Sequence, residues 1–169
     1  KDYIRLRLAG AKLSDMSDSA GTLWLDVAKR DWSDEMLAAC RLNRGNMPKL
    51  VEGSAPAGEL RKELLERWGM RGPVVVAGGG GDNAASAVGI GAVSPGGGFV
   101  SLGTSGVPFV VNDRFLPNPE RAVHAFCHAV PRRWHQMSVM LSAASCLSWV
   151  AGLVGGKGVG EVMAEVEKL

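Results

Sequence analysis

The sequence predicts an α/β fold in two parts, and three observations predict it. A short apolar run, a glycine turn and a run of helix formers follow one another in "VVVAGGGGDNAASAVG" (74–89), the order strand, turn, helix. Two strand-like runs, "FVSLG" (99–103) and "VPFVV" (107–111), meet across "TSG" as in a β-hairpin. Between these stretches the composition shifts at "SPGGG" (94–98), a turn or hinge that puts a boundary near residues 93–97.

Taken in order, residues 1–30 mix short apolar stretches with turn residues such as "SDMSDSAGTLWLD". "SDEMLAACRL" (33–42) has a capping serine, acids in its first turn and apolar residues at helical spacing, and Pro48 ends the region. "AGELRKELLERWGM" (57–70) reads as a second helix, stopped by Gly69 and Gly72. "PVVVA" (73–77) reads as a buried strand, apolar on both faces, and "DNAASAVGIGAV" (82–93) as a helix of small residues. Beyond the first hairpin, "AVHAFCHAV" and "WHQMSVML" form a second one turning at "PRR". "SAASCLSWVAGLV" and "GVGEVMAEVEKL" close the chain as helices. No fixed-period repeat is visible.

Hydrophobic residues make up 46% and charged ones 21% of the 169 residues, the balance of a soluble globular protein. A net charge of +2, with bases and acids interleaved as in "RKELLER" (61–67), argues against a nucleic-acid partner. No apolar run approaches the ~20 residues that span a membrane, and no signal peptide opens the chain. Cys40, Cys127 and Cys146 form no CxxC pair, which suits a reducing, cytoplasmic setting. The chain opens on Lys1 rather than Met, as a piece of a longer protein would.

The glycine turn admits three readings. A helix start after glycines is a phosphate site in many nucleotide-binding proteins. Gly79, Gly81 and Ala84 fit the dinucleotide pattern G-x-G-x-x-A loosely. Against it, Asp82 puts a negative charge where a pyrophosphate must lie. From Asn83 to Asn112 there is also no acid to hold a ribose, which disfavours a dinucleotide-dependent oxidoreductase. A P-loop fails too, because "GGKG" (155–158) lacks the hydroxyl that follows the lysine. The third reading makes Asp82 the working group, with glycines clearing space for a substrate and Asn83 offering an amide that suits a polyol. The plain alternative is that Asp82 caps the helix, stabilising it by about 1 kcal/mol, and spacing alone leaves the two even.

"SLGTSG" (101–106) lies at the predicted hairpin tip, where Gly103 frees the backbone and Thr104 and Ser105 add hydroxyls. Such a tip can act as an anion nest, although an ordinary turn explains the pattern as well.

Together "SDMSDSAGTLWLDVAKRDWS", "VVVAGGGGDNAASAVGIGAV", "FVSLGTSGV" and "VHAFCHAVPRRWHQMSVMLSAASCLSW" resemble the FGGY sugar and polyol kinases, bacterial xylulose kinases in particular. The likeness runs from about Asp2 to Trp149 and is most specific in GDNA followed by SLGTSG. It implies the two-domain actin/hexokinase-like (ribonuclease H-like) fold with the active site in the interdomain cleft. Residues 1–93 would be the end of the first, sugar-binding domain and 94–169 the beginning of the second, nucleotide-binding domain. It further implies that D-xylulose and ATP with Mg2+ give D-xylulose 5-phosphate and ADP. A homodimer is the candidate assembly. By this similarity Asp82 takes the catalytic-base position and binds substrate beside Asn83, while Gly103, Thr104 and Ser105 belong to the loop on the nucleotide phosphates. The chain carries one glycine more before the aspartate than the family pattern. Because the first phosphate loop and the adenine loop of these kinases are absent here, the 169 residues alone are expected not to turn over substrate. Within the class the rivals are sister kinases of ribulose, gluconate or glycerol. Outside it stands a non-catalytic sugar- or nucleotide-binding module.

The remaining candidates read as structural. His124 and His128 would face one side of a strand and Cys127 the other, so the three would not converge on a metal, and no metal ligands are assigned. Asp15 and Asp18 sit in a Ser/Asp cluster typical of turns and caps, and the resemblance puts them near the cleft without a role. Trp24, Trp32, Trp68, Trp134 and Trp149 read as packing residues. Ser142, Ala143 and Ala144 are expected next to the nucleotide.

Overall fold

The computed structural model describes residues 1–155 and 158–169, so the middle of the "GGKG" run lies outside the described residues. The chain begins with a helix, α1 (Asp2–Ala9), that the reading of residues 1–30 missed. Its sequence "DYIRLRLA" has no apolar stripe, but Asp2 in the first turn and Arg7 in the last suit the helix dipole. Strand β1 (Leu13–Asp15) follows and leads into the single turn α2 (Met16–Ser19), which Asp15 caps by accepting the N–H groups of Ser17 and Asp18. A small ribbon of β2 (Leu25–Asp26) and β3 (Asp31–Trp32) precedes α3 (Asp34–Ala39). The predicted serine cap holds: Ser33 Oγ accepts the Met36 N–H at 3.2 Å. Strand β4 (Lys49–Val51) returns parallel to β1 and pairs Val51 with Asp15.

Two expectations for the next stretch are corrected. The helix expected over 57–70 is confined to α4 (Lys62–Arg67), because residues before it are taken into β5 (Pro56–Glu59). β5 pairs antiparallel with β6 (Val75–Ala77) across an irregular register, so tertiary pairing overrides the helical spacing. β6 is not buried on both faces either: in a two-stranded ladder Val75 is left 60% exposed. The helix expected over 82–93 is α5 (Asp82–Gly89), ending where Ala92 N–H reaches back to Ala87 O at 2.8 Å.

The second part is built on an antiparallel sheet ordered β7 (Gly98–Leu102), β8 (Gly106–Asn112), β10 (Trp134–Met137), β9 (His124–Cys127). Both predicted hairpins are present, pairing Leu102 with Gly106 and Trp134 with Cys127. Helices α6 (Ala144–Leu153) and α7 (Val159–Val166) close the chain. Among the described residues no helix is long and apolar enough to cross a membrane, and all three cysteines are free.

Two apolar clusters hold these parts. Ala20, Leu25, Trp32 and Leu37 bury themselves with Cys127, while Ala87 and Ala92 pack with Phe109 and Val111. The β9–β10 hairpin therefore bridges the two parts: Trp134 Nε1 donates to Val27 O at 2.8 Å and Arg30 donates to Arg133 O at 2.8 Å. The tryptophan expectation holds for Trp24, Trp32 and Trp134. Trp68 and Trp149 depart from it, at 52% and 67% exposed, because α4 and α6 each leave a face uncovered by the described residues.

Candidate functional site

The glycine turn between β6 and α5 is clamped by the chain itself. Gly78 N–H donates to Ala55 O at 3.0 Å, Gly79 N–H to Gly53 O at 2.9 Å, and the buried Arg5 guanidinium donates to Gly78 O. A Cβ on Gly78 would come within 2.5 Å of Glu52 O, and Gly79 adopts φ 89°, where side chains are rarely tolerated. So the expectation that the glycines clear space for a substrate needs a correction. Residue 78 makes room for neighbouring backbone and residue 79 for the Lys1 stem, and it is Gly81 that lines the cavity, with the Ser17 and Asp18 backbone 3.5 Å from where its Cβ would be.

Asp82 is the first residue of α5, with Gly81 as its N-cap. Its carboxylate accepts the Asn83 backbone N–H at 2.7 Å and the Asn83 side-chain amide at 3.3 Å. The same exposed side chain lines a cavity of about 120 Å3 with Ser17, Asp18, Gly21, Gly81, Asn83, Ala84, Phe126, His135 and Met137. Helix-start bonding and cavity exposure, set against each other in the sequence, thus coexist in one carboxylate.

The far wall comes from the β9–β10 hairpin. His135 is 3% exposed, stacks on Phe109 at 4.1 Å and leans on Phe126 at 5.6 Å. Burial, and then the neighbouring His128, push its pKa down to about 3, so it is a neutral ring at ordinary pH. Its Nδ1 is buried without a hydrogen-bond partner. His128 is itself held below its usual value by burial, against a hydrogen bond of its Nε2 with Ala92 O at 3.2 Å. His124 is exposed, while Cys127 and His128 are both buried, so the two histidines expected on one side of the strand part company where β9 ends at Cys127. Of the cavity residues, Asp18 is one the family resemblance puts near the cleft without a role, and His135 is one the sequence does not single out. The "SDMSD" turn was the available signal for Asp18, and His135 left none.

Behind the turn, carboxylate oxygens of Asp2, Asp15 and Asp18 lie within 4.8 Å of one another. The ammonium of Lys1 bridges the group, 2.6 Å from Asp15 and 3.4 Å from Asp18, and also pairs with Asp2, which takes a second cation in Arg5 at 3.0 Å. Burial works against the charge on Lys1, but the hydrogen bonds to Asp15 and Asp2 outweigh it and hold its pKa above the usual value.

The second predicted element, residues 103–105, is an exposed hairpin turn. Gly103 N–H donates to Ser105 O at 2.9 Å, and the carbonyls of Gly103 and Thr104 accept the N–H groups of Ala144 and Ala143 at 3.0 and 2.7 Å. Ser145 Oγ adds a bond to Thr104 O at 3.1 Å, and Ser105 Oγ one to Leu141 O at 3.2 Å. Among the described residues the backbone N–H groups of Thr104 and Ser105 find no acceptor. The start of α6 thus sits directly against the turn, beside a cavity of about 390 Å3 lined by Ser142, Ser145, Cys146 and Trp149. The structure brings Asp82 and Asn83 together in one cavity. Gly103, Thr104 and Ser105 line neither of these two cavities, and Thr104 is tied to Ser145 at the edge of the other.

Comparison with known proteins gives a consistent result. The N-terminal domain of the FGGY family of carbohydrate kinases matches residues 1–89. A xylulose kinase of Klebsiella pneumoniae is 60% identical over 99% of this chain and 34% of its own length. One of Escherichia coli is also 60% identical, over 99% and 34%. A crystal structure described as a xyloylose kinase from Brucella ovis superposes with a TM-score of 0.91 at 59% identity, over 98% of this chain and 34% of that one. The chain spans about a third of the length of the curated relatives it matches. The α/β, actin/hexokinase-like fold class expected from the sequence is the one these neighbours share.

Proposed function

The chain belongs to the FGGY family of carbohydrate kinases, and from that premise we propose that the intact protein phosphorylates D-xylulose with ATP to give D-xylulose 5-phosphate and ADP. The observation that carries the reading is Asp82: an exposed carboxylate, beside the Asn83 amide, on a turn its own chain holds rigid, at the edge of a cavity. Phosphoryl transfer passes through a loose transition state, so an acceptor that orients the attacking hydroxyl and takes its proton late is sufficient. Asp82 has that role in the proposal, and Asn83 binds a neighbouring substrate hydroxyl. Phe126 and Met137 offer apolar surface to the C–H face of a sugar.

The turn of Gly103, Thr104 and Ser105 grips the phosphates of ATP. Its free N–H groups at Thr104 and Ser105 support this, since such groups bind anionic oxygens. Mg2+ accompanying the nucleotide would supply charge neutralisation, and the exposed Asp18 and Asp82 carboxylates, hard oxygen donors of the kind it takes, would hold it. Residues 1–93 then close a sugar-binding domain and 94–169 open a nucleotide-binding one, with the β9–β10 hairpin at their junction. A cytoplasmic setting, where ATP is supplied, goes with this reading. Replacing Asp82 in the intact protein tests it. Asp82→Ala is expected to cut kcat by about 10²–10⁴-fold while ATP still binds, and a near-normal kcat would favour a binding module instead.

A further inference from the structure

We propose that Ser17 is a positioning residue for Asp82, holding the glycine turn through a relay that ends on the buried Asp15. The inference rests on the kinase reading above. Gly81, immediately before the proposed base, donates its N–H to Ser17 Oγ at 2.9 Å, a contact between residues 64 apart in sequence. Ser17 Oγ in turn donates to Asp15 Oδ2. That oxygen also accepts the backbone N–H of Ser17 at 2.9 Å and of Asp18 at 3.3 Å. Asp15 is fully buried, and its other oxygen is fixed by Lys1 Nζ at 2.6 Å. The lysine stem lies where a Cβ on Gly79 would touch it, at 3.0 Å, so the same lysine braces the turn from a second side.

Each partner in this relay has its position decided by the next. Asp15 cannot rotate, because its oxygens serve two backbone N–H groups, a hydroxyl and an ammonium. Ser17 can donate only to Asp15, which leaves its lone pairs for Gly81. The Gly81 N–H lies at a helix start, where no intrahelical acceptor exists, and without Ser17 it would turn to water. The turn's last residue would then be free to shift, and Asp82 with it. A displacement of about 1 Å at a reacting group costs on the order of 100-fold in rate.

The test uses the intact encoded protein and follows xylulose phosphorylation. Ser17→Ala is expected to lower kcat about 10- to 100-fold, with the KM for ATP within about twofold of the parent. Ser17→Thr, which keeps the oxygen, recovers most of the loss. A kcat for Ser17→Ala within twofold of the parent, or equal losses in the alanine and threonine variants, overturns the relay. Asp82→Asn is measured alongside. Loss there with none in Ser17→Ala overturns the relay alone, whereas no loss in Asp82→Asn overturns the kinase reading and the catalytic part of the relay together. Should Ser17→Ala fail to fold, hydrogen exchange at the Gly81 amide of the unaltered protein decides. Protection supports the relay, and exchange at the rate of a free amide overturns it.

Discussion

The two glycine turns of this chain look alike on paper and are held in opposite ways. The one before Asp82 is gripped by Arg5, Gly53, Ala55, Ser17 and the Lys1 stem, partners that all come from residues 1–55. The one at residues 103–105 is exposed throughout and is tied down chiefly through its carbonyls and the Ser105 hydroxyl at one side, where α6 begins. The difference fits what each is proposed to do. An acid that must meet one hydroxyl needs a fixed position, whereas a loop that closes on phosphates needs unoccupied N–H groups and room to adjust.

The contrast can be broken or sharpened by substitution. The largest effect is expected from Arg5→Met, which removes a buried cation serving Gly78 O, Leu13 O and Asp2. Thermal or chemical denaturation should register a loss of about 3–5 kcal/mol, and a loss under 1 kcal/mol would mean the clamp is not what holds the turn. Next comes Gly78→Ala, whose Cβ meets fixed backbone at 2.5 Å. It should cost about 1–3 kcal/mol in the same measurement.

Acid should act on the β9–β10 wall. An unfolded histidine takes up a proton below pH 6.5, but folded His135 does not until about 3. The unfolded state therefore binds more protons between those values. The stabilisation is complete above pH 6.5 and falls by up to about 1.4 kcal/mol per pH unit as acid is added. His135→Phe, which keeps a ring against Phe109, should flatten this slope in a series of Tm measurements from pH 7 to 4. The smallest effect is expected from Gly103→Ala. Nothing lies closer than 3.8 Å to the added Cβ, so stability should change by less than about 0.5 kcal/mol. A loss at Gly103 matching that at Gly78 would erase the distinction between the turns.

What could be read from the sequence was what neighbours in sequence decide. The Ser33 cap, both hairpins and the start of α5 are all local. β5 was misread because "AGELRKELLER" has helical spacing while Ala57 is claimed by a strand some twenty residues on. α1 was missed because its most buried residue is a charged one, Arg5, the reverse of the pattern that reveals helices. Ser17, Asp18 and His135 join the Asp82 neighbourhood from 53 to 65 residues away, and no spacing rule connects them.

The lysine among the acids has a practical consequence. Asp2, Asp15 and Asp18 are tied together by the Lys1 ammonium, with Arg5 adding a second fixed cation at Asp2, so the scaffold behind the turn is expected to keep its shape in a chelating buffer. Activity lost on adding EDTA would then report the ion that travels with the nucleotide, with no collapse of the acid cluster to disentangle from it.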